Sequence, residues 1–532
     1  MTTPLFHRDC GLLMHPSSLP NQFGVGDFGP SAIRWVKQLA RHGQNIWQIL
    51  PLNPAGYGDS PYQGLSAFAA NPIFISPEDL HTRGLLDDQE LLALRMPLHS
   101  RVDYARLYAN KAEVSARAAL KFFALPSSDP LREQYRVFLE SERDWLECFA
   151  LFSALKARFN RVAWTEWPEE FRDRDTVALQ RITEELESDI QRVYFEQFIL
   201  RLQWSAVQRH AHELGVSLVG DLPIFVAHDS ADVWCQRELF RLNADGSPSV
   251  MAGVPPDYFS ATGQLWGNPL YNWDMHRSHK YAWWRQRLSR ILTWVDVVRI
   301  DHFRGFEACW EVPGEAETAA EGSWVPAPGY EVFNAFVEDH GLPLPVIAED
   351  LGVITPEVEQ LRDYYNLPGL RIEQFAFGTD PMSSTFLPEN YVPNCIAYTG
   401  THDNDTVVGW FSSEAGEDST RTAEEIEEER AMTLEYFGSD GSEIHWDFIR
   451  SLYRSRAGAV VVPVQDLLGL GSDARMNTPG KASGSWGWRL TDTLRLSGAL
   501  EELDALTRET DRGLMSRETP LSLRSQQGHN EA

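Results

Sequence analysis

The 532-residue chain is 43% hydrophobic and 23% charged, the composition of an ordinary globular protein with ample apolar material for a large core, so disorder is not the default. Its net charge of −29 and pI near 4.9 repel phosphate backbones and anionic lipid headgroups, so neither a nucleic acid nor a membrane partner is expected. The five cysteines are scattered without C-x-x-C spacing, the N-terminus has no apolar targeting core and no apolar run reaches 18 residues. These features predict a cytoplasmic protein with neither a disulfide framework nor a thiolate metal site.

Along the chain, eight short β-rich runs recur: Gly11–His15, Asn45–Leu50, Val216–Asp221, Val295–Asp301, Pro345–Glu349, Gly369–Gln374, Cys395–Thr399 and Ala459–Val464. Several are almost wholly apolar, as strands buried on both faces of a parallel sheet are. Amphipathic helical stretches separate several of them, such as Ser31–His42 between Pro30 and Gly43. Strand alternating with helix eight times predicts an α/β fold, a (β/α)8 TIM barrel. Residues 1–50 hold the first two strands, and residues 51–215 read as a mainly helical inserted subdomain with substrate loops. Residues 216–510 supply the rest of the barrel. Within them, about 222–294 form a second insertion rich in Gly, Pro and aromatic residues that looks like a binding lid. Residues 511–532 turn polar and aperiodic, the pattern of a flexible tail.

Four acidic residues fall at or just past the C-terminal ends of these runs: Asp221, Asp301, Glu349 and Asp403. That is the end where barrel enzymes keep their chemistry. A single aspartate there is more often a helix cap, but four are hard to treat as caps. Converging carboxylates flanked by Arg299, His302 and His402 suit either a metal site or glycosyl transfer. Arg299 and Asp301 are two apart on one strand and so share a face, where a guanidinium favours a charged carboxylate and discourages a bound dication. Glu349 follows the apolar run PVIA, a setting that favours a protonated acid. Spacing alone leaves open which carboxylate plays nucleophile and which plays acid.

These segments resemble the 4-α-glucanotransferases of glycoside hydrolase family 77, the amylomaltases or disproportionating enzymes of the α-amylase clan. The resemblance runs through LLMHPSSLP, ILPLNPAGYGDSPYQ, GDLPIFVAHDSADVW, GVPPDYFSATGQLWGNPLYNW, VRIDHFRGF, AEDLG, GTHDNDT, MNTPG and WGWRL, roughly Gly11 to Leu490. It implies Asp301 as nucleophile, Glu349 as general acid/base and Asp403 as the carboxylate that grips ring hydroxyls. It further implies that Arg299, His302, His402, Asp221 and Tyr62 surround the sugar at the cleavage point. Tyr258 and Trp266 would lie on a loop guarding the acceptor side, and Asn477 matches the polar residue of the N-x-P-G segment. No metal or organic cofactor is implied, and maltooligosaccharides and other α-1,4-glucans are the implied substrates.

The chain departs from the family at NQFGVGDFG and at Ser485, neither a catalytic position, and matches it least after about Arg489. Most of the 18 tryptophans and 16 tyrosines belong to packing on general grounds. EEIEEER reads as a solvated helix face, and Asp350 as a cap or ion-pair partner. The rival readings are an α-glucan hydrolase using the same residues, a sugar-binding protein on an inactive barrel, and a metal-dependent lyase or aldolase.

Overall fold

The computed structural model describes residues 4–256, 262–378, 380–415, 421–481 and 483–513. Twelve strands form along them: β1 Asp9–Leu13, β2 Ile46–Gln48, β3 Ser217–Pro223, β4 Val250–Val254, β5 Gln264–Pro269, β6 Val297–Asp301, β7 Ala308–Pro313, β8 Ser323–Pro326, β9 Val346–Ala348, β10 Gly369–Ile372, β11 Cys395–Tyr398 and β12 Ala459–Pro463. Eight close into a parallel barrel in the order β1, β12, β11, β10, β9, β6, β3, β2. With its surrounding helices this is the expected (β/α)8 barrel, and each barrel strand overlaps one of the eight predicted runs.

Alternation along the strands sorts their side chains into two cores. Val219, Val297, Ile347, Ile396 and Val461 fill the barrel interior. Their neighbours Leu218, Val298, Val346, Ala397 and Val460 pack outward against the helices. On β6 the period of two therefore points Val297, Arg299 and Asp301 inward in ascending order, from apolar floor to open mouth. The same period carries Val219 to Asp221 on β3, and Ile347 to Glu349 one residue beyond β9.

Between β2 and β3 lie the long helices Tyr104–Phe123, Pro130–Arg158 and Glu187–Glu213. Four aspartates accept hydrogen bonds from N-terminal amides of helices in this segment: Asp87, Asp103, Asp129 and Asp175.

The segment read as a lid loop is more ordered than its composition indicates. It contains β4 and β5, which join β7 and β8 in a four-stranded antiparallel sheet ordered β5, β4, β7, β8. The sheet thus draws on two separate strand-to-helix connections, those after β3 and β6. The same segment ends in the helix Ala282–Leu292, which leads into β6.

Two further features depart from the sequence pattern. Cys148 and Cys235, 87 residues apart, meet side chain to side chain with Cα atoms 6.5 Å apart, because the helices Pro130–Arg158 and Ala231–Cys235 pack together. Their spacing in the sequence carries no sign of that contact. The chain also stays packed beyond the expected start of the tail, since Arg512 is fully buried. Residues 514–532 lie outside the described residues. Among the described residues, no helix is long and apolar enough to cross a membrane.

Candidate active site

The C-terminal mouth of the barrel gathers the acidic residues around one cation. Arg299 is 4% exposed. Its Nη1 donates to both Asp221 oxygens at 2.8 and 2.7 Å, and its Nη2 donates to Asp301 Oδ1 at 2.8 Å. Strand register explains the first contact, because Asp221 on β3 and Arg299 on β6 are direct cross-strand partners. Alternation explains the second. Asp221 also accepts from the Tyr62 hydroxyl at 3.0 Å. Burial still pushes the Asp221 carboxyl up to about 7, against the pull of Arg299 and Tyr62.

Glu349 lies beside this cluster, 8% exposed. Its Oε2 accepts from the His302 backbone N–H at 2.7 Å and its Oε1 from the Leu351 N–H at 3.0 Å. Burial outweighs the nearby Arg299 charge and the amide bonds, and with help from Asp301 it pushes the carboxyl up to about 8. Two carboxyl groups at one mouth therefore sit in unlike settings. Asp301 is tied to a guanidinium and 30% exposed at its side chain, whereas Glu349 is walled in and holds a proton at neutral pH.

His302 presents its amide to Glu349 by adopting a left-handed backbone, φ 53°. That conformation is uncommon for a residue with a Cβ and clusters at functional sites. Burial lowers its imidazole to about 4, so the ring is neutral, and its Nε2 has no hydrogen-bond partner among the described residues. Trp266 meets the ring edge-on at 4.9 Å, and Phe225 flanks both. The resemblance implies a loop guarding the acceptor side for Trp266; its backbone lies on β5, held by the small antiparallel sheet. Tyr258 lies outside the described residues.

The third carboxylate arrives on the loop after β11. Asp403 Oδ1 accepts from Asn477 Nδ2 at 2.6 Å and lies 3.3 Å from His402 Nε2. Asn477 N–H donates to the His402 carbonyl. The His402 ring stacks on Tyr62, with centroids 5.0 Å apart and planes 14° from parallel. The structure thus joins Tyr62, Asp221, Arg299 and Asp301 in one bonded chain, and Tyr62, His402, Asp403 and Asn477 in another that shares Tyr62. Asp350 is held by Arg362 and the Leu370 N–H, the structural role expected for it.

Two contributors escape sequence reasoning. Trp486 packs on both Tyr62 and His402, at 5.6 and 5.8 Å, from a left-handed backbone of φ 64°. The WGWRL motif marks the segment, but nothing in it indicates that geometry. Arg475 donates to the Asp403 carbonyl at 2.5 Å, with no sequence signal beyond its nearness to Asn477.

Comparison with known proteins follows the same line. The family model of glycoside hydrolase family 77, described as 4-alpha-glucanotransferase, matches residues 14–495. A 4-alpha-glucanotransferase of Thermus thermophilus is 46% identical, covering 91% of this chain and 95% of its own. One from Synechocystis is 45% identical, covering 91% and 94%. Among solved structures, the amylomaltase from Streptococcus agalactiae in complex with acarbose superposes with a TM-score of 0.89 at 36% identity, covering 95% of this chain and 100% of that one. The chain is accordingly an enzyme that belongs to the 4-alpha-glucanotransferases of glycoside hydrolase family 77.

Proposed function

We propose that this enzyme cleaves an α-1,4-glucan and passes the cut segment to the 4-hydroxyl of another glucose or glucan by a retaining double displacement. Asp301 attacks the anomeric carbon while Glu349 protonates the departing glycosidic oxygen, giving a covalent glucosyl-enzyme of inverted configuration. Glu349, now the base, takes the proton of the acceptor hydroxyl, which displaces Asp301 and restores the α-linkage. Asp403 grips the ring hydroxyls, with Asn477 and His402 fixing its orientation. Tyr62, Asp221, Arg299 and His302 frame the sugar at the cleavage point, and Trp266, with Tyr258, guards the acceptor side. Transfer wins over hydrolysis when the acceptor sugar is held in place and water is kept out. A cytoplasmic location, expected from composition, stays part of this reading.

The observation that carries the proposal is the contrast at the barrel mouth. Asp301 is ion-paired to Arg299 while Glu349 is buried where desolvation favours its protonated form, the two unlike carboxyl settings that glycosyl transfer uses. Incubation with maltotriose tests it. Glucose should appear together with oligosaccharides longer than the substrate. Products no longer than maltotriose would identify a hydrolase and overturn the transfer reading.

A further inference from the structure

The loop that carries Asp403 braces itself internally. Asn404 Oδ1 accepts from the Thr401 N–H and hydroxyl at 2.9 and 2.8 Å, and the Asp403 N–H donates to Thr401 Oγ1 at 3.3 Å. Such a turn moves as a unit, so its aim is set by whatever holds its ends and edges. The edges are held by Gln374, which donates to the Asp405 carbonyl at 2.9 Å, and by Arg475 on the Asp403 carbonyl. Both ends meet one side chain. Asp466 accepts from the Thr399 hydroxyl, directly after β11, at 2.5 Å, and from the Val407 N–H, where the next helix begins, at 2.8 Å. Asp466 is 2% exposed and lies just past β12, the neighbouring barrel strand.

We propose that Asp466 is a positioning residue of the transfer reaction, a clamp that fixes both ends of the Thr399–Val407 loop to the barrel and so aims Asp403 and His402 at the sugar. The clamp lies behind the loop and acts through it. The proposal rests on the reading of Asp403 as the carboxylate that holds the ring hydroxyls. A pivot at the loop ends is amplified at its tip, and a displacement of about 1 Å at a reacting group costs on the order of 10²-fold in rate.

The test uses the full chain with maltotriose as substrate. Asp466→Ala should lower kcat about 10- to 100-fold and leave KM within about 3-fold, because a misaimed Asp403 weakens a grip that tightens in the transition state. Burial pushes the Asp466 carboxyl up to about 7, so an amide of the same shape is a close substitute. Asp466→Asn keeps an oxygen for the Val407 N–H and a donor for Thr399, and should recover kcat to within about 3-fold of wild type. Thr399→Val removes one end of the clamp and should lower kcat about 3- to 10-fold, with no further loss when added to Asp466→Ala. The proposal is overturned if Asp466→Ala keeps kcat within 2-fold, if its loss lies wholly in KM, or if the two substitutions multiply. Should Asp466→Ala not fold, Thr399→Val at wild-type kcat overturns it alone. An Asp403→Asn enzyme that transfers normally refutes the underlying reading, whichever way Asp466 behaves.

Discussion

At Arg299 one buried guanidinium spans two carboxylates, and its removal strands both. Asp221, with a fully buried side chain, loses the cation that offsets its desolvation. Breaking a buried pair from one side costs about 3–5 kcal/mol, more than most single substitutions. Arg299→Leu should lower the unfolding free energy by that amount in chemical denaturation, and a variant as stable as wild type would sink the account of the cluster. Asp301→Asn differs in kind, because Asp301 is partly exposed and the amide keeps the contact with Arg299. It should abolish turnover while leaving maltotriose binding within a few-fold, as read by calorimetry. Glu349 sets the pH response. Its folded value is raised, so the proton needed for leaving-group departure is present below about 8 and lost above it. The kcat/KM profile should fall on the alkaline side near that value. A basic limb below pH 6 would contradict the assigned acid.

Among the elements, the turn after β10 holds an unusual group. Glu373 is fully buried, and among the described residues neither carboxyl oxygen makes a hydrogen bond of normal geometry, Ser451 being the side chain near enough to interact with it. Burial holds it well above the ordinary carboxylate range, with Ser451 the one group pulling the other way. The folded state therefore keeps a proton that the unfolded chain loses above about pH 4.5. Stability falls as pH rises through that point and goes on falling until the folded group itself ionises. Glu373→Gln removes this linkage. It should stabilise the enzyme by about 1–3 kcal/mol at pH 7 and by close to nothing at pH 4, measured as paired denaturation curves. Equal shifts at both pH values would show that Glu373 is not the titrating group. The same segment shows how far elements are readable from sequence. Glu373 reads as a strand residue because GLRIEQ is β-like throughout, whereas the strand ends at Ile372. Long apolar runs such as AVVVP announce themselves, and the period of two that unites Arg299 with Asp301 is visible in VRID. The antiparallel sheet is not: ACWEVP and SWVP are short, and the other neighbour of ACWEVP, β4, lies in a different connection. Cross-strand register is equally silent, so the Asp221–Arg299 bond emerges only from the folded chain, as do the Tyr62–His402–Trp486 stack and the Cys148–Cys235 contact, which loop and helix packing set.

At the scale of the whole molecule, the barrel closes where its first strand meets its last, β1 on β12, and the last described residues return to that seam. Arg512 donates to the carbonyls of Tyr453, Ala457 and Ser455 at 2.7, 3.0 and 2.8 Å, with the Asp9 carbonyl at 3.4 Å. Tyr453 belongs to the last turn of the helix Ile444–Arg454, whose unpaired carbonyls and dipole favour a cation. Asp9 opens β1 and Ala457 precedes β12, so this clasp seals the end of the barrel opposite the catalytic mouth. A buried guanidinium without a carboxylate is tolerable here because backbone oxygens surround it, although burial still lowers it to about 10. Arg512→Ala removes the guanidinium from the Tyr453 and Ala457 carbonyls, while Ser455 keeps Arg8, and each buried carbonyl left unsatisfied costs about 1–3 kcal/mol. We expect a loss of about 3 kcal/mol or more in guanidinium unfolding. Arg512→Lys should recover only part of it, since a point charge with three donors does not span the same set of oxygens. Turnover of the folded enzyme at 25 °C should stay within 2-fold of wild type, because nothing in the clasp touches the mouth. An unfolding midpoint unchanged in Arg512→Ala would mean that the seam is held by strand pairing alone.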